Sequence, residues 1–254
     1  MQVWVNHELL DISKTEMGAD GWPSGEGIFE TIRTQDGEVF ELGRHMRRAL
    51  VAATTKGISL PSEEVVRSSI GSILKAEPHS IGRLRLLFSK NRFIAVHQRY
   101  MDIGKPIHLA VIADSSEVES ITIKAFPYED RLSLLEKAQK DGFDEIICVN
   151  ARGEVTEGAV SNFLFRMEGD WVTTPLSAGI LPGVQRGIVI ERCGVIVRQI
   201  TKSDLERADA AFVISSLKIA LSVSSIAGRA LLIDENCAAM AQNIWANTHK
   251  HSVG

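Results

Sequence analysis

The 254-residue sequence predicts an α+β fold of two domains, a small N-terminal domain over residues 1–103 and a larger C-terminal domain over residues 104–254. Candidate strands and helices mix along the chain without a strict strand-helix-strand rhythm, which favours α+β over a doubly wound sheet. Cores beyond roughly 250 residues tend to split into domains. The polar stretch at residues 101–106 is typical of a linker, so we place the boundary there.

The N-terminal domain is predicted to be a small sheet covered by two helices. Short runs of β-branched and aromatic residues bounded by turn residues predict strands at residues 3–5, 27–33, 38–41, 83–89 and 93–97. Apolar residues recur at helical spacing from His45 onward, which predicts the first helix. Ser62 is the candidate cap of the second helix, which runs through Leu74.

The C-terminal domain is predicted to mix strands and helices. The same signals predict strands at residues 107–112, 121–123, 195–199 and 211–215. Helices are predicted at residues 132–141, 187–193, 203–207 and 236–248. A hairpin is expected to turn at residues 150–153.

Composition excludes several classes of function. The net charge of −4 gives no basic excess with which to bind nucleic-acid phosphates. Cys148, Cys193 and Cys237 lack the spacing of a disulfide framework or a zinc site, and the histidines lack metal-ligand spacing. The N-terminus has no export signal, and no apolar run approaches the roughly 20 residues of a membrane span. We therefore expect a cytoplasmic protein that binds no nucleic acid, membrane or metal.

Segments rich in Gly, Ser, Thr and Asn follow the predicted strands of the C-terminal domain, at residues 155–162, 179–186 and 214–218. Turns of this composition present backbone N–H groups. The turn Gly183-Val184-Gln185 leads into a helix, where unpaired amides and the helix dipole both favour an anion. This turn is therefore a candidate phosphate site.

Together the motifs resemble the fold-type IV pyridoxal-5′-phosphate (PLP) family of branched-chain and D-amino-acid aminotransferases and aminodeoxychorismate lyases. The likeness covers nearly the whole chain, and its marks are GEGIFETIR at 25–33, residues 40–48, Lys124 upstream of GFDE at 142–145, EG at 157–158, SNF at 161–163, VTTP at 172–175 and LPGVQR at 181–186. The resemblance implies a D-amino-acid aminotransferase-like fold, with a small N-terminal α/β sandwich and a larger C-terminal pseudo-barrel. It also implies PLP as cofactor, a small-molecule substrate and a homodimer.

PLP chemistry needs a lysine whose amine can be neutral, so that it holds the cofactor and then moves a proton at the substrate carbon. The resemblance assigns this role to Lys124, although a lysine after a strand, taken alone, more often points to solvent. It also implies Tyr128 as the hydrogen-bond partner of the cofactor's ring oxygen. The segment from Lys124 to Tyr128 departs from the family because it contains Pro127 and no asparagine.

The PLP ring is a good electron sink only while its pyridine nitrogen stays protonated, which requires a carboxylate beside it. Glu157 occupies that place in the motif. Without the motif, a surface glutamate in a hairpin strand would be an equal alternative.

The resemblance assigns the cofactor phosphate to Arg48, whose planar fork can donate two hydrogen bonds to one anion. Arg44 and Arg47 compete for the same role. The remaining phosphate contacts implied are the amides of Val184 and Gln185 and the hydroxyl and amide of Ser216. Gln185 stands where family members often carry threonine.

Substrate carboxylates have two candidate sites. Arg83 and Arg85 alternate with leucines, so a strand would place both guanidinium groups on one face. That face could bind a carboxylate, or it could be the polar outer face of an antiparallel strand. Lys218, just past Ser216, is either a further anion contact or a solvent-facing loop residue.

Three interpretations of function follow. The first is an aminodeoxychorismate lyase of folate synthesis, in which Lys124 removes a proton and pyruvate leaves to give 4-aminobenzoate. The short chain and the Ser-Ser-Leu-Lys segment at 215–218 look most like this group. The second is an aminotransferase acting on branched-chain or D-amino acids. The third is a non-catalytic α+β protein or PLP carrier.

Overall fold

The computed structural model describes residues 1–18, 21–113 and 122–253 and confirms the α+β class. In chain order the strands are β1 (Gln2–Val5), β2 (Glu8–Asp11), β3 (Gly27–Gln35), β4 (Glu38–Phe40), β5 (Ile81–Phe88), β6 (Phe93–Arg99), β7 (Ile107–Ala113), β8 (Ala125–Phe126), β9 (Glu145–Val149), β10 (Asn162–Met167), β11 (Asp170–Thr173), β12 (Ile196–Val197), β13 (Ala210–Ile214), β14 (Leu221–Ile226), β15 (Arg229–Ala230) and β16 (Lys250–His251). The helices are α1 (Leu42–Lys56), α2 (Glu63–Ala76), α3 (Glu129–Lys140), α4 (Val184–Arg192) and α5 (Glu235–Ala246).

The chain divides into two compact units. The first comprises Met1–Met101, Ile123–Pro127 and His249–Gly254, and the second comprises Asp102–Thr122 and Tyr128–Thr248. Residues 123–127 and 249–254, which the sequence analysis assigned to the C-terminal domain, are in the first unit because β8 pairs with β3 and β16 pairs with β4. Backbone pairing of this kind joins segments that are far apart in sequence, which local patterns do not report.

The first unit is an antiparallel sheet with two helices. Its strand order is β16-β4-β3-β5-β6-β1-β2, with β8 also paired to β3. Alternate residues of β3 and β5, Ile28 and Ile32 with Leu84 and Leu86, form one core with the buried faces of α1 and α2. The period of two along each strand sends the intervening residues to the opposite face.

Local signals set the helix ends of this unit. The Ser62 hydroxyl accepts a hydrogen bond from the Val65 N–H at 3.3 Å, as its prediction as a cap requires. The helix predicted from His45 begins earlier, at Leu42, after Glu41 in a left-handed conformation. It ends at Gly57, whose φ of 63° suits glycine.

The second unit is a mixed sheet in the order β12-β11-β10-β13-β14-β7-β9. The β7–β9, β7–β14 and β11–β12 pairs are parallel, and the remaining pairs along this order are antiparallel. Every residue of β10 is buried because both faces are covered: Phe163 and Phe165 enter one core, and Leu164 enters another. Continuous burial of this kind gives no alternating pattern in the sequence.

Several predicted elements differ in extent. The helix predicted at 187–193 begins at Val184, and the extended segment predicted at 195–199 contributes only Ile196–Val197 to a strand. Of the strand predicted at 121–123, Ile121 lies outside the described residues, and Ile123 belongs to no strand. In the described part of the chain, no helix is long and apolar enough to cross a membrane.

Candidate active site

The predicted site residues fall into two groups, one in each unit. The first unit contains Arg48, Arg83, Arg85 and Lys124, and the second contains Tyr128, Glu157, Val184, Gln185, Ser216 and Lys218.

Lys124 lies directly before β8 rather than at the end of the predicted strand at 121–123. Its carbonyl accepts a hydrogen bond from the Phe29 N–H at 2.9 Å, which extends the pairing of β8 with β3. The partly buried side chain places its ammonium nitrogen 4.4 Å from the centroid of the Phe29 ring. The pairing of β8 with β3 therefore fixes the backbone of this lysine, and the Phe29 ring contacts its ammonium group.

Arg48 projects from α1 and is held by Glu30 of β3. Its Nε donates to Glu30 Oε1 at 2.8 Å and its Nη2 donates to Oε2 at 2.5 Å. Its competitors differ: Arg44 pairs with Glu41 at the start of the helix, and Arg47 is exposed. Burial alone would raise the pKa of Glu30, but the charge and hydrogen bonds of Arg48, helped by His45, lower it to about 2. Glu30 is therefore a buried anion.

His45, one helical turn before Arg48, is almost completely buried, and its Nδ1 lies 2.6 Å from Glu30 Oε2. Burial lowers the pKa of His45, Glu30 opposes this effect, and the positive charges of Arg48 and Lys124 lower it further. The imidazole is therefore neutral near pH 7 and donates from Nδ1. Because both cations act on this ring, Arg48 and Lys124 belong to the same electrostatic environment.

Arg83 and Arg85 share one face of β5, as the alternating pattern predicts. Both donate from Nη2 to the side-chain oxygen of Gln98, at 2.8 and 2.7 Å. Arg33, which the sequence analysis did not select, lies on β3 directly opposite Arg83, and residues opposite one another in antiparallel strands share a face. Its position in the 25–33 motif, two residues after Thr31 on the same face, is the signal that could have found it.

Two members of the row of Arg33, Arg83 and Arg85 lie against aromatic rings. Arg85 stacks over Trp22 at 4.6 Å from the ring centroid, and Arg33 lies within 6.0 Å of the centroids of Phe40 and Tyr100. Arg33 and Arg85 are almost fully buried. Adjacent like charges in a poorly solvated setting repel, so an anion bound at this face would be stabilised.

In the second unit, Glu157 lies in the hairpin that follows β9. It is 7% exposed. Its Oε1 accepts from Arg131 Nη2 at 2.9 Å, and its Oε2 accepts from the Leu181 N–H at 2.9 Å and from Asn162 Nδ2 at 3.2 Å. Each donor stabilises the carboxylate charge, so the site fits a residue that must stay anionic beside a protonated ring nitrogen.

Tyr128 precedes α3, which begins at Glu129 rather than at the predicted residue 132. Its hydroxyl donates to the Ala159 carbonyl at 2.9 Å. This bond holds the phenol beside the loop that carries Glu157, and the hydroxyl oxygen keeps acceptor capacity.

The N-terminus of α4 has the features of a phosphate cradle. Gly183 is the cap residue, the first turn contains no acidic side chain, and the first N–H groups of a helix have no intrahelical acceptor. A Cβ on Gly183 would collide with Asn162 Oδ1, so the Gly183 backbone lies unusually close to the Asn162 side chain. The Gln185 side chain is buried and donates to Thr248 Oγ1 at 2.8 Å, which leaves its backbone amide as the group suited to an anion.

Ser216 and Lys218 belong to the turn after β13. The Ser215 side chain accepts from the Lys218 N–H at 3.1 Å, and the Ser215 carbonyl accepts from the Ile219 N–H at 2.8 Å. The Lys218 ammonium lies 3.3 Å from Oε2 of the fully buried Glu145. The Lys218 side chain thus points to a buried carboxylate of the protein rather than to solvent.

Glu145 was part of the family motif but was given no role in the sequence analysis. Its carboxylate accepts from the Ala159 N–H at 3.0 Å and from the Ser161 hydroxyl at 2.7 Å, in addition to Lys218. It therefore ties the segment after Glu157 to the turn that follows β13.

Comparison with known proteins gives a consistent result. A sequence profile described as "Amino-transferase class IV" matches residues 27–226. The chain is similar to the D-alanine aminotransferase of Bacillus licheniformis, with 26% identity over 91% of this chain and 90% of the relative. It is also similar to the bifunctional aminodeoxychorismate lyase / D-amino acid transaminase of Mycobacterium tuberculosis, with 23% identity over 91% of this chain and 93% of the relative.

Among solved structures, a hypothetical aminotransferase from Mycobacterium tuberculosis in its PLP-bound form aligns with a TM-score of 0.86. The alignment covers 97% of this chain and 98% of that chain, at 18% sequence identity. This likeness confirms the predicted fold.

Proposed function

The chain belongs to the aminotransferase class IV family of PLP-dependent enzymes, and on this premise we propose that it is an aminodeoxychorismate lyase. The reaction converts 4-amino-4-deoxychorismate into 4-aminobenzoate and pyruvate. Membership in an enzyme family removes the reason to retain a non-catalytic PLP carrier as an alternative.

The row of Arg33, Arg83 and Arg85 is the observation that carries this proposal. Each product of the reaction has one carboxylate, so the substrate has two. Adjacent guanidinium groups provide planar, bidentate donors for such a dianion and attract it from solution. A substrate with a single carboxylate would form fewer ion pairs with these guanidinium groups.

The cofactor's phosphate and ring have separate proposed contacts. In the first unit, Arg48 would contact the phosphate. In the second unit, the amides of Val184 and Gln185 and the hydroxyl and amide of Ser216 are the proposed phosphate contacts. Tyr128 would contact the ring oxygen, and Glu157 would keep a proton on the pyridine nitrogen. The buried anion at Glu157 and the glycine-lined start of α4 fit these roles.

Bound PLP supplies an electron-accepting ring that stabilises negative charge on the substrate carbon bearing the amine. Lys124 would hold the cofactor and, as a neutral amine, would take the proton from that carbon. Loss of this proton together with cleavage of the neighbouring C–O bond would make the substrate ring aromatic. The departing enolpyruvate takes up a proton to become pyruvate.

Amino transfer is the second candidate, because the similarity to a D-alanine aminotransferase extends over 91% of the chain. In that reaction Lys124 would move a proton at the Cα atom of an amino acid, and a keto acid would accept the amino group. Small changes in loops exchange such reactions on one fold. Branched-chain and D-amino acids are the substrates to test.

The deciding assay supplies 4-amino-4-deoxychorismate without any keto acid and measures pyruvate and 4-aminobenzoate together. A lyase releases both in equal amounts, and the Lys124→Ala variant releases neither. Lys140→Ala, which removes an exposed lysine of α3, is the matched control and should keep full activity. Amino exchange between D-alanine and a keto acid, with no acceptor-independent pyruvate release, would overturn the lyase assignment.

We further propose, from the same family resemblance, that the enzyme is a homodimer that acts in folate synthesis in the cytoplasm. Sedimentation of the purified full chain measures the oligomeric state directly. A monomer at micromolar concentration would contradict the dimer.

A further inference from the structure

Glu30 is a glutamate buried in the apolar core of the first unit, where acidic side chains are rare. It lies on the face of β3 that also carries Ile28 and Ile32, and its side chain is 1% exposed. Its two oxygens accept hydrogen bonds from Arg48 Nε, Arg48 Nη2 and His45 Nδ1, all within 2.8 Å. Burying a carboxylate this deeply is costly unless the group is paired and hydrogen-bonded, as Glu30 is here.

The contact with Arg48 is made along one edge of the guanidinium group. Glu30 faces the edge formed by Nε and Nη2. The Nη1 and Nη2 groups form a second edge of the same rigid plane, so Arg48 can hold Glu30 and a second anion at once. By fixing the first edge, Glu30 fixes the direction of the second.

His45 completes the arrangement from the other side of the carboxylate. Its Nδ1 contacts the same Oε2 atom that accepts from Arg48 Nη2. Burial keeps the pKa of His45 below its ordinary value, so the ring is a neutral donor rather than a second cation competing with Arg48. The imidazole therefore limits the rotation of the carboxylate without changing the charge of the pair.

A purely structural explanation accounts poorly for this cluster. Replacing a buried ion pair by apolar side chains of similar volume is often neutral or stabilising, so such a pair is weak support for stability on its own. The lysine proposed to hold the cofactor lies next to the strand segment that carries Glu30, because Glu30 directly follows Phe29, whose N–H donates to the Lys124 carbonyl at 2.9 Å. The cluster thus belongs to the cofactor end of this unit.

We propose that Glu30 and His45 are positioning residues that aim the outer edge of Arg48 at the cofactor phosphate. This inference rests on the proposed role of Arg48 and extends it to two residues that do not touch the cofactor themselves. Their effect is specific to the phosphate group.

The test compares two ligands on the full-length protein freed of cofactor: pyridoxal phosphate, and pyridoxal, which lacks the phosphate. The Glu30→Gln variant should bind pyridoxal phosphate about 10- to 100-fold more weakly, the range expected for losing an oriented charge-assisted hydrogen bond, and should bind pyridoxal within about twofold of the parent. Glu63→Gln, the same change at an exposed helical position, is the control and should alter neither affinity.

A double variant isolates the route of the effect. If Glu30 acts through Arg48, Arg48→Gln with Glu30→Gln should bind pyridoxal phosphate no more weakly than Arg48→Gln alone. Additive losses would overturn the inference. His45→Asn keeps a donor near the Nδ1 position and should recover most of the affinity that His45→Leu loses, which gives a second route to the answer if Glu30→Gln does not fold.

The outcomes separate the inference from the assignment beneath it. If Arg48→Gln leaves the preference for pyridoxal phosphate over pyridoxal unchanged, the proposed role of Arg48 fails and the inference falls with it. If Arg48→Gln removes that preference but Glu30→Gln does not, only the positioning role is wrong. An equal loss of both ligands in Glu30→Gln would show a structural role and would also overturn it.

Discussion

The carboxylate of Glu157 and the guanidinium of Arg131 form an ion pair with an N–O distance of 2.9 Å. Arg131 comes from the first turns of α3 and was not selected by the sequence analysis. Together with Asn162 and the Leu181 amide, it holds Glu157 as a buried anion. The fold therefore holds the proposed partner of the pyridine nitrogen as an anion in a fixed position.

Replacing this anion should separate cofactor binding from turnover. In Glu157→Gln the side chain keeps its shape but no longer stabilises the proton on the ring nitrogen. We expect kcat to fall about 10²–10³-fold, the size of effect seen when one preorganised electrostatic group is lost, while the cofactor remains bound. Glu154→Gln in the same hairpin is the control. Near-parental kcat in Glu157→Gln would contradict the assignment.

Lys218 was predicted to contact substrate, but its ion pair with Glu145 predicts an effect on stability first. Lys218→Met removes the ammonium group that pairs with the fully buried Glu145, and we expect a loss of about 1–3 kcal/mol in the free energy of unfolding. Adding Glu145→Gln should recover part of that loss, because the charge is then removed as well. Denaturant titration measures both. A raised KM with unchanged stability would instead favour direct contact with substrate.

The close approach at Gly183 predicts a loss of cofactor affinity when a side chain is added. Gly183→Ala would push its Cβ into Asn162 Oδ1 and disturb both the start of α4 and a donor to Glu157. We expect weaker cofactor binding in equilibrium dialysis. Gly104→Ala is the matched control, since its added Cβ meets nothing within 4 Å. Equal affinities in the two variants would argue against a cradle at α4.

Two buried histidines predict how stability depends on pH. Burial lowers the pKa of His45 and His97 below the ordinary value of 6.5. Below pH 6.5 the unfolded chain therefore binds protons that the folded chain does not, so stability falls as the pH drops, by at most about 1.4 kcal/mol per pH unit for each histidine. Glu30, with its pKa lowered to about 2, adds a further loss as the pH falls below about 4.5.

Thermal unfolding between pH 7.5 and 5 measures the histidine contribution. His97 donates from Nδ1 to the Glu77 carbonyl, and its Nε2 is hydrogen-bonded to the Thr34 hydroxyl. A glutamine can make similar hydrogen bonds without titrating. His97→Gln should therefore flatten the slope of Tm against pH. A slope unchanged by this substitution would assign the pH dependence to other groups.

Local elements were predictable because their signals are local. Ser62 acts as a cap, and Arg83 and Arg85 share a face, since capping and strand alternation depend on a few neighbouring residues. The strand β10 was missed because a strand buried on both faces has no period-two pattern.

Long-range partners could not be predicted in the same way. Glu145 and Lys218 pair across 73 residues, and Glu30 meets His45 and Arg48 only because α1 packs on β3. No spacing in the sequence encodes such contacts. The resemblance to a family located the motif residues, but the packing shows which charges are compensated by which partners.

The central claim is that Lys124 carries the cofactor, and peptide mapping after borohydride reduction tests it most directly. Cleavage after glutamate would place Lys124 alone among lysines in residues 120–129 and Lys218 alone in residues 207–235. We predict that the mass of the reduced cofactor appears on the 120–129 peptide only. A cofactor mass on the 207–235 peptide, or an unmodified 120–129 peptide from fully loaded protein, would contradict the account.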